Sequence, residues 1–242
     1  MFEDNSYFEV PKNKDAKIWR YMTLEKFISL LSKKALYFCN STCFEDLHEG
    51  AYTKMNIAFS QYVDENAPVD DYTRKIREQN LIYRENVHIN CWHLSEYESV
   101  GMWKNYLDSN IGVAIQSTFN RLANAVMESS QLVFIGKVKY IDYDNELIPY
   151  DEGLWATFLR KRKVFEYEKE IRAMYLLSHK KIDDMVKVRG GFVSVDLNLL
   201  IEKVVLAPDV PYWFREVVES VISKYGYEFI VSSSRVNELP IF

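Results

Sequence analysis

Backbone-breaking residues are scarce in this chain. Its 242 residues include only 8 Gly and 6 Pro, so no flexible or Pro-rich linker divides it. Cysteine is scarcer still. Cys39, Cys43 and Cys91 are too few, and odd in number, for a disulfide framework, which points to a reducing compartment. Basic charge is not in excess: 30 Lys and Arg face 35 Asp and Glu, a net charge of −5. An RNA or DNA partner would therefore need a local patch. No stretch reaches the ~18 uninterrupted apolar residues of a membrane-spanning helix. The opening MFEDNSYFEVPKNKD lacks the basic and apolar regions of a signal peptide. These absences predict a cytoplasmic protein with no membrane partner. A Walker loop, a G-x-G-x-x-G turn and a G-x-S-x-G elbow are also missing, which argues against P-loop, ordinary Rossmann and α/β-hydrolase chemistry.

What is present is apolar and aromatic: 48% hydrophobic residues, and 15% Phe, Trp and Tyr, enough for a sizeable core. Ile18 to Met22 reads as a strand, with Thr23 as N-cap of a helix carrying Leu24, Phe27, Ile28 and Leu31 on one stripe. Ala35 to Cys39 reads as a second strand, followed by the turn Asn40-Ser41-Thr42 and an acidic loop with Glu45, Asp46 and Glu49. Residues 51–85 read as mostly helical with a break near Asp64 to Pro68. Val87 to His93 alternates as a strand, Ser99 to Leu107 suits a short helix, and Ile111 to Ile115 alternates again before a helix over Phe119 to Met127. Further strands are expected near 132–143, 171–177, 192–197, 203–207 and 228–232. Phe214, Val217, Val218, Val221, Ile222 and Tyr225 form a helical stripe that Gly226 stops. The interleaving without a regular βαβ period predicts an α+β (mixed α/β) fold. It would be a single domain over residues 1–242 with a largely antiparallel or split sheet flanked by helices.

Two segments place large rings beside ionisable groups, as a lined cleft does: Asn90 to Tyr106 and Lys163 to Arg172. Trp92, His93, Trp103, Tyr106, Glu168, Glu170 and Arg172 are expected to converge there. His93 is a candidate general acid or base because only histidine titrates near neutrality unaided. It shares a strand face with Cys91 and Ile89, which equally suits a partly buried, hydrogen-bonded ring. Arg160-Lys161-Arg162-Lys163 reads as a phosphate grip or as a solvated helix face. Cys39-x₃-Cys43, His48 and His88-x₂-Cys91-x-His93 lack a zinc spacing, so no metal is expected and buried structural cysteines fit better.

The chain resembles the bacterial domain of unknown function 2971 family. The likeness runs from Trp19 to Phe242 through Tyr37-Phe38, Phe44-Glu45-Asp46, Glu49-Gly50, Cys91-Trp92-His93, Glu98-Ser99, Met102-Trp103, Tyr106, Phe165 to Arg172, Val205-Leu206-Ala207-Pro208, Trp213-Phe214 and Ser232-Ser233-Ser234. Asp46-Leu47 departs from the Asp-Pro of many relatives. A second resemblance is to ADP-ribosyltransferases of the arginine-type arrangement, through Arg20, Ser117-Thr118 and Glu168-Lys169-Glu170. That resemblance implies NAD as co-substrate and a protein or RNA acceptor, in a toxin or anti-phage role. In it Glu170 faces an oxocarbenium-like ribose, Glu168 serves as base on the acceptor, and Arg20 holds a phosphate or ribose oxygen. Trp103 or Tyr106 stacks on a ring. Trp92, Glu98, Ser99, Arg162 and Arg172 complete the expected ligand-binding set. Two other readings stay open: the acidic pair as surface ion pairs with Arg162 or Arg172, and the cleft as a non-catalytic module for a nucleotide or peptide.

Overall fold

The computed structural model describes residues 8–66, 71–107, 111–127, 129–177 and 189–241. The first seven residues, which bore on a leader peptide, lie outside it, as does the Ala67-Pro68 part of the expected helix break. In chain order come β1 (Lys17–Thr23), α1 (Leu24–Lys33), β2 (Ala35–Asn40), α2 (Lys54–Asn66), α3 (Tyr72–Asn86), β3 (Val87–Leu94) and α4 (Val100–Tyr106). Then follow β4 (Gly112–Thr118), α5 (Phe119–Met127), β5 (Phe134–Lys137), β6 (Lys139–Ile141), β7 (Arg160–Arg162), β8 (Glu170–Leu176), β9 (Gly190–Ser194), α6 (Leu197–Leu200), β10 (Lys203–Leu206), α7 (Tyr212–Lys224) and β11 (Val231–Ser233). Among the described residues no helix is long and apolar enough to cross a membrane.

The expected α+β class holds. A nine-stranded mixed sheet runs β11-β10-β4-β1-β3-β2-β9, with β8 on the other edge of β3 and β5 beyond it. Pairings are antiparallel except β10 with β11. β6 and β7 form a separate parallel pair.

The feature that positions the site is an interruption. One edge of β3 is covered along its length by β8, from Val87 opposite Leu176 to His93 opposite Glu170. Its other edge is shared by two strands. β1 pairs only with His93 and Leu94, and β2 pairs only with His88 and Ile89. Between them the sheet splits, over Asn90 to Trp92.

Strand alternation sorts residues to two faces. α1, α5 and α7 bury Phe27, Leu31, Phe119, Leu122, Phe214 and Val218 against the face bearing Ile18, Ile115, Trp92 and Ile171. Each fully buried ring or branched side chain contributes roughly 1.5–3 kcal/mol. α4 packs Met102 and Trp103 on the opposite face, against Trp19 and Tyr21.

Two local expectations are corrected. Arg160 to Arg162 is the strand β7, not a helix face, and it is largely buried. Thr23 does precede α1, but its hydroxyl bonds the Glu25 carboxylate instead of capping the backbone.

Candidate functional site

A cavity of about 540 Å³ occupies the split. That volume suits a small molecule. Ile89 and Cys91 of β3 form its floor, and Arg20, Tyr37 and Cys39 of β1 and β2 its walls. The Tyr106 ring, 42% exposed, sits at its rim.

Where the ladder is missing, side chains stand in for it. Arg20 donates Nη1 to the Cys91 carbonyl at 2.6 Å, and Asn90 donates Nδ2 to the Tyr37 carbonyl at 2.8 Å. Each satisfies a carbonyl that a continuous sheet would have paired. Asn90 is itself fixed by Trp92, whose Nε1 donates to its Oδ1 at 2.7 Å. Among the described residues Arg20 forms no ion pair. Burial lowers its pKa, and the groups nearest it are Cys91, Tyr106 and Cys39. A guanidinium that forms no ion pair, in a largely apolar cavity whose lining also holds Lys26 and Glu45, is a ready anion contact.

Behind the floor lies a buried ionic cluster. Arg172 is fully enclosed and meets Glu49 through two bonds, at 2.5 and 2.9 Å. It meets Glu170 through Nε at 2.7 Å and the Phe158 carbonyl at 2.7 Å. Lys161 donates to Glu170 at 2.7 Å and to Glu168. Glu49 reaches the cluster because Gly50 turns the chain at φ 70°, where a Cβ would lie 2.3 Å from the Phe158 ring. Glu170 opens β8 after Lys169, whose φ of 41° is left-handed and redirects the chain out of the preceding turn.

Two cations here face three carboxyls, and a buried uncompensated charge is costly, so one carboxyl holds a proton. That carboxyl is Glu168. Burial, a hydrogen bond that it donates to Glu170 and the Glu170 charge push it up to about 8. Burial acts the same way on Glu170, but Arg172 and Lys161 outweigh it and hold that carboxyl well below the usual range. The Tyr106 phenol is pushed up by burial and lies within the fields of Cys91, Glu170, Arg20 and Glu168, which links cavity and cluster.

The remaining expected residues divide. His93 is buried beside the cluster and donates Nδ1 to the Glu168 carbonyl at 2.6 Å. Burial lowers its pKa, so it is a neutral support for the Glu168 backbone. Trp92 does not join the convergence: one residue along the strand, it faces the opposite core. Trp103 is buried edge-on to Tyr21 at 4.8 Å and spends its Nε1 on Glu98, so its ring does not line the cavity. Glu98 ties down the C-terminal segment, accepting from Ser234 and the Arg235 amide, each at 2.6 Å. Ser99 caps α4. Ser117 donates to the Leu200 carbonyl at 2.5 Å and Thr118 caps Arg121, so neither reaches the split. Arg162 pairs with Asp46 at 2.8 Å, and the acidic pair uses Lys161 and Arg172 in a buried cluster, not at a solvated edge.

Lys161 and Glu49 were not assigned to the site from sequence. Glu49 lies 123 residues from Arg172. Its signals were its place in the acidic loop and the Glu49-Gly50 pair.

The chain is thus an α+β protein whose interrupted sheet encloses a cation-lined cavity backed by a buried carboxyl pair. No family model matches it, and no curated protein or solved structure matches it either.

Proposed function

We propose that the split-sheet cavity binds an anionic, ring-bearing ligand, that this ligand is NAD, and that the protein passes its ADP-ribose to an acceptor. The observation that carries this reading is Arg20, a guanidinium inside the cavity with no ion pair among the described residues, within the same electrostatic neighbourhood as the Glu168–Glu170 pair. In this reading Arg20 holds a phosphate, and Tyr106 at the rim lies against a ring. Glu170 stays ionised and opposes the positive charge that develops on the ribose as nicotinamide leaves. Glu168 takes the acceptor's proton, and because it holds its own proton to about 8, transfer rises as pH climbs toward that value.

One observation favours a second reading, a binding module without turnover. Both oxygens of Glu170 are occupied by Lys161 and Arg172, which offset its charge. Calorimetry with NAD and ADP-ribose, beside an NAD-turnover assay, separates the two. For the enzyme, Glu170→Gln is expected to lower NAD consumption ~10²–10³-fold. Glu168→Gln is expected to reduce transfer while sparing NAD hydrolysis. Arg20→Gln retains a donor for the Cys91 carbonyl and loses the cation, so it is expected to weaken both ligands. Binding without consumption assigns the module reading. Neither binding nor consumption removes both.

A further inference from the structure

We infer that Cys39 and Cys43 form a reversible disulfide in the wall of the cavity, a thiol-modification site separate from the proposed chemistry and independent of the ligand's identity. Cys39 is the penultimate residue of β2, and Cys43 ends the single turn of helix over Ser41–Cys43 that follows. Asn40 clamps this turn, accepting from the Thr42 amide at 3.0 Å and the Thr42 hydroxyl at 2.5 Å. The chain thereby folds back within four residues, and both thiols line the same cavity, with Cys43 near enough to bear on the titration of Cys39.

The two sulfurs differ in the way a sensing pair requires. Cys43 is exposed, whereas Cys39 is half-buried. Burial and Cys43 push the Cys39 thiol up, with Arg20 opposing them, so a thiolate formed at Cys39 has a cation beside it. With hydrogen peroxide as oxidant, the Cys43 thiolate attacks one peroxide oxygen. The O–O bond breaks, giving a sulfenic acid and a hydroxide, which takes up the proton that the Cys43 thiol released and becomes one water. The Cys39 thiolate then attacks the Cys43 sulfur; the S–S bond forms, the S–O bond breaks, and hydroxide leaves as a second water with the proton from Cys39. Two thiols and one peroxide become one disulfide and two waters. Cys91, on the floor of the same cavity, is a built-in comparison, because burial and the adjacent Glu170 push its thiol far up and disfavour its thiolate.

Both cysteines fall in one tryptic peptide, residues 35–54, and Cys91 in another, residues 85–104. The test treats the folded chain with peroxide, then alkylates it with iodoacetamide under denaturing, non-reducing conditions and maps the peptides by mass. The first peptide is expected two hydrogens lighter and unalkylated, the second fully alkylated, and prior reduction is expected to restore two alkylation sites to the first. In Cys39→Ser, Cys43 is expected to gain oxygen atoms, since nothing resolves its sulfenic acid. In Cys43→Ser, Cys39 is expected to remain alkylatable. A wild-type chain in which Cys43 gains oxygen while Cys39 stays alkylatable overturns the inference. So does a chain linked through Cys91 or to a second copy, or one in which neither thiol reacts.

Discussion

Glu168 shows how one side chain's surroundings set its behaviour. Unfolded, its carboxyl titrates near the ordinary 4.5, and folded it keeps its proton up to about 8. Between those values the native state binds a proton that the unfolded chain has released. The stabilisation is therefore whole below the lower value, falls as pH rises through the window and is gone above it. Glu170, held well below its usual range, acts in the opposite direction: its contribution is present above the ordinary value and is lost as pH falls toward its folded one. Stability of the wild type, followed by thermal unfolding, is expected to fall between about pH 5 and about pH 9 by on the order of one to a few kcal/mol. Glu168→Gln, which cannot titrate, is expected to show a flatter profile. Equal slopes for the two proteins would mean that Glu168 is ionised across the range.

Secondary elements were the legible part, because alternation and helical stripes are local signals. Val87 to His93 read as a strand with His93, Cys91 and Ile89 on one face, and that is how β3 is built. The same rule sends Trp92 to the other side, and grouping it with His93 as one aromatic cluster overlooked this. Arg160 to Lys163 misled for a different reason. Four consecutive basic residues carry no period, and only the carboxyl groups that meet the first three explain their burial: Glu152 for Arg160, Glu168 and Glu170 for Lys161, Asp46 for Arg162. Asp46 lies 116 residues away, beyond any sequence window. At this scale Asn90 is the sharpest probe. Asn90→Ala leaves the Tyr37 carbonyl and the Trp92 indole N–H without these partners, and is expected to cost roughly 2–4 kcal/mol in denaturant unfolding. A loss below ~1 kcal/mol would show that the side-chain bonds across the split contribute little.

In the whole molecule, one strand connects everything. β1 with β4, β10 and β11 makes one wing of the sheet, β2 with β9 another, and both join through β3 to β8 and β5. One apolar cluster runs beneath both wings, from Leu206 and Val204 through Trp92 to Leu36 and Val193. Unfolding is accordingly expected as one cooperative transition, with near-ultraviolet and far-ultraviolet circular dichroism giving the same midpoint. Two separated midpoints would mean that the wings fold as independent units. The split also gives the sheet a mechanical character that a continuous ladder lacks. Each wing is joined to β3 over only two residue pairs, so the gap is a line of weakness along which the wings can shear. A molecule lodged there and bonded to both walls acts as a crossbeam, stiffening one wing against the other through its own covalent frame. Its footprint would then be read far from the cavity, as slowed amide exchange in β11 and β9 together, the two strands at the ends of the main strand order.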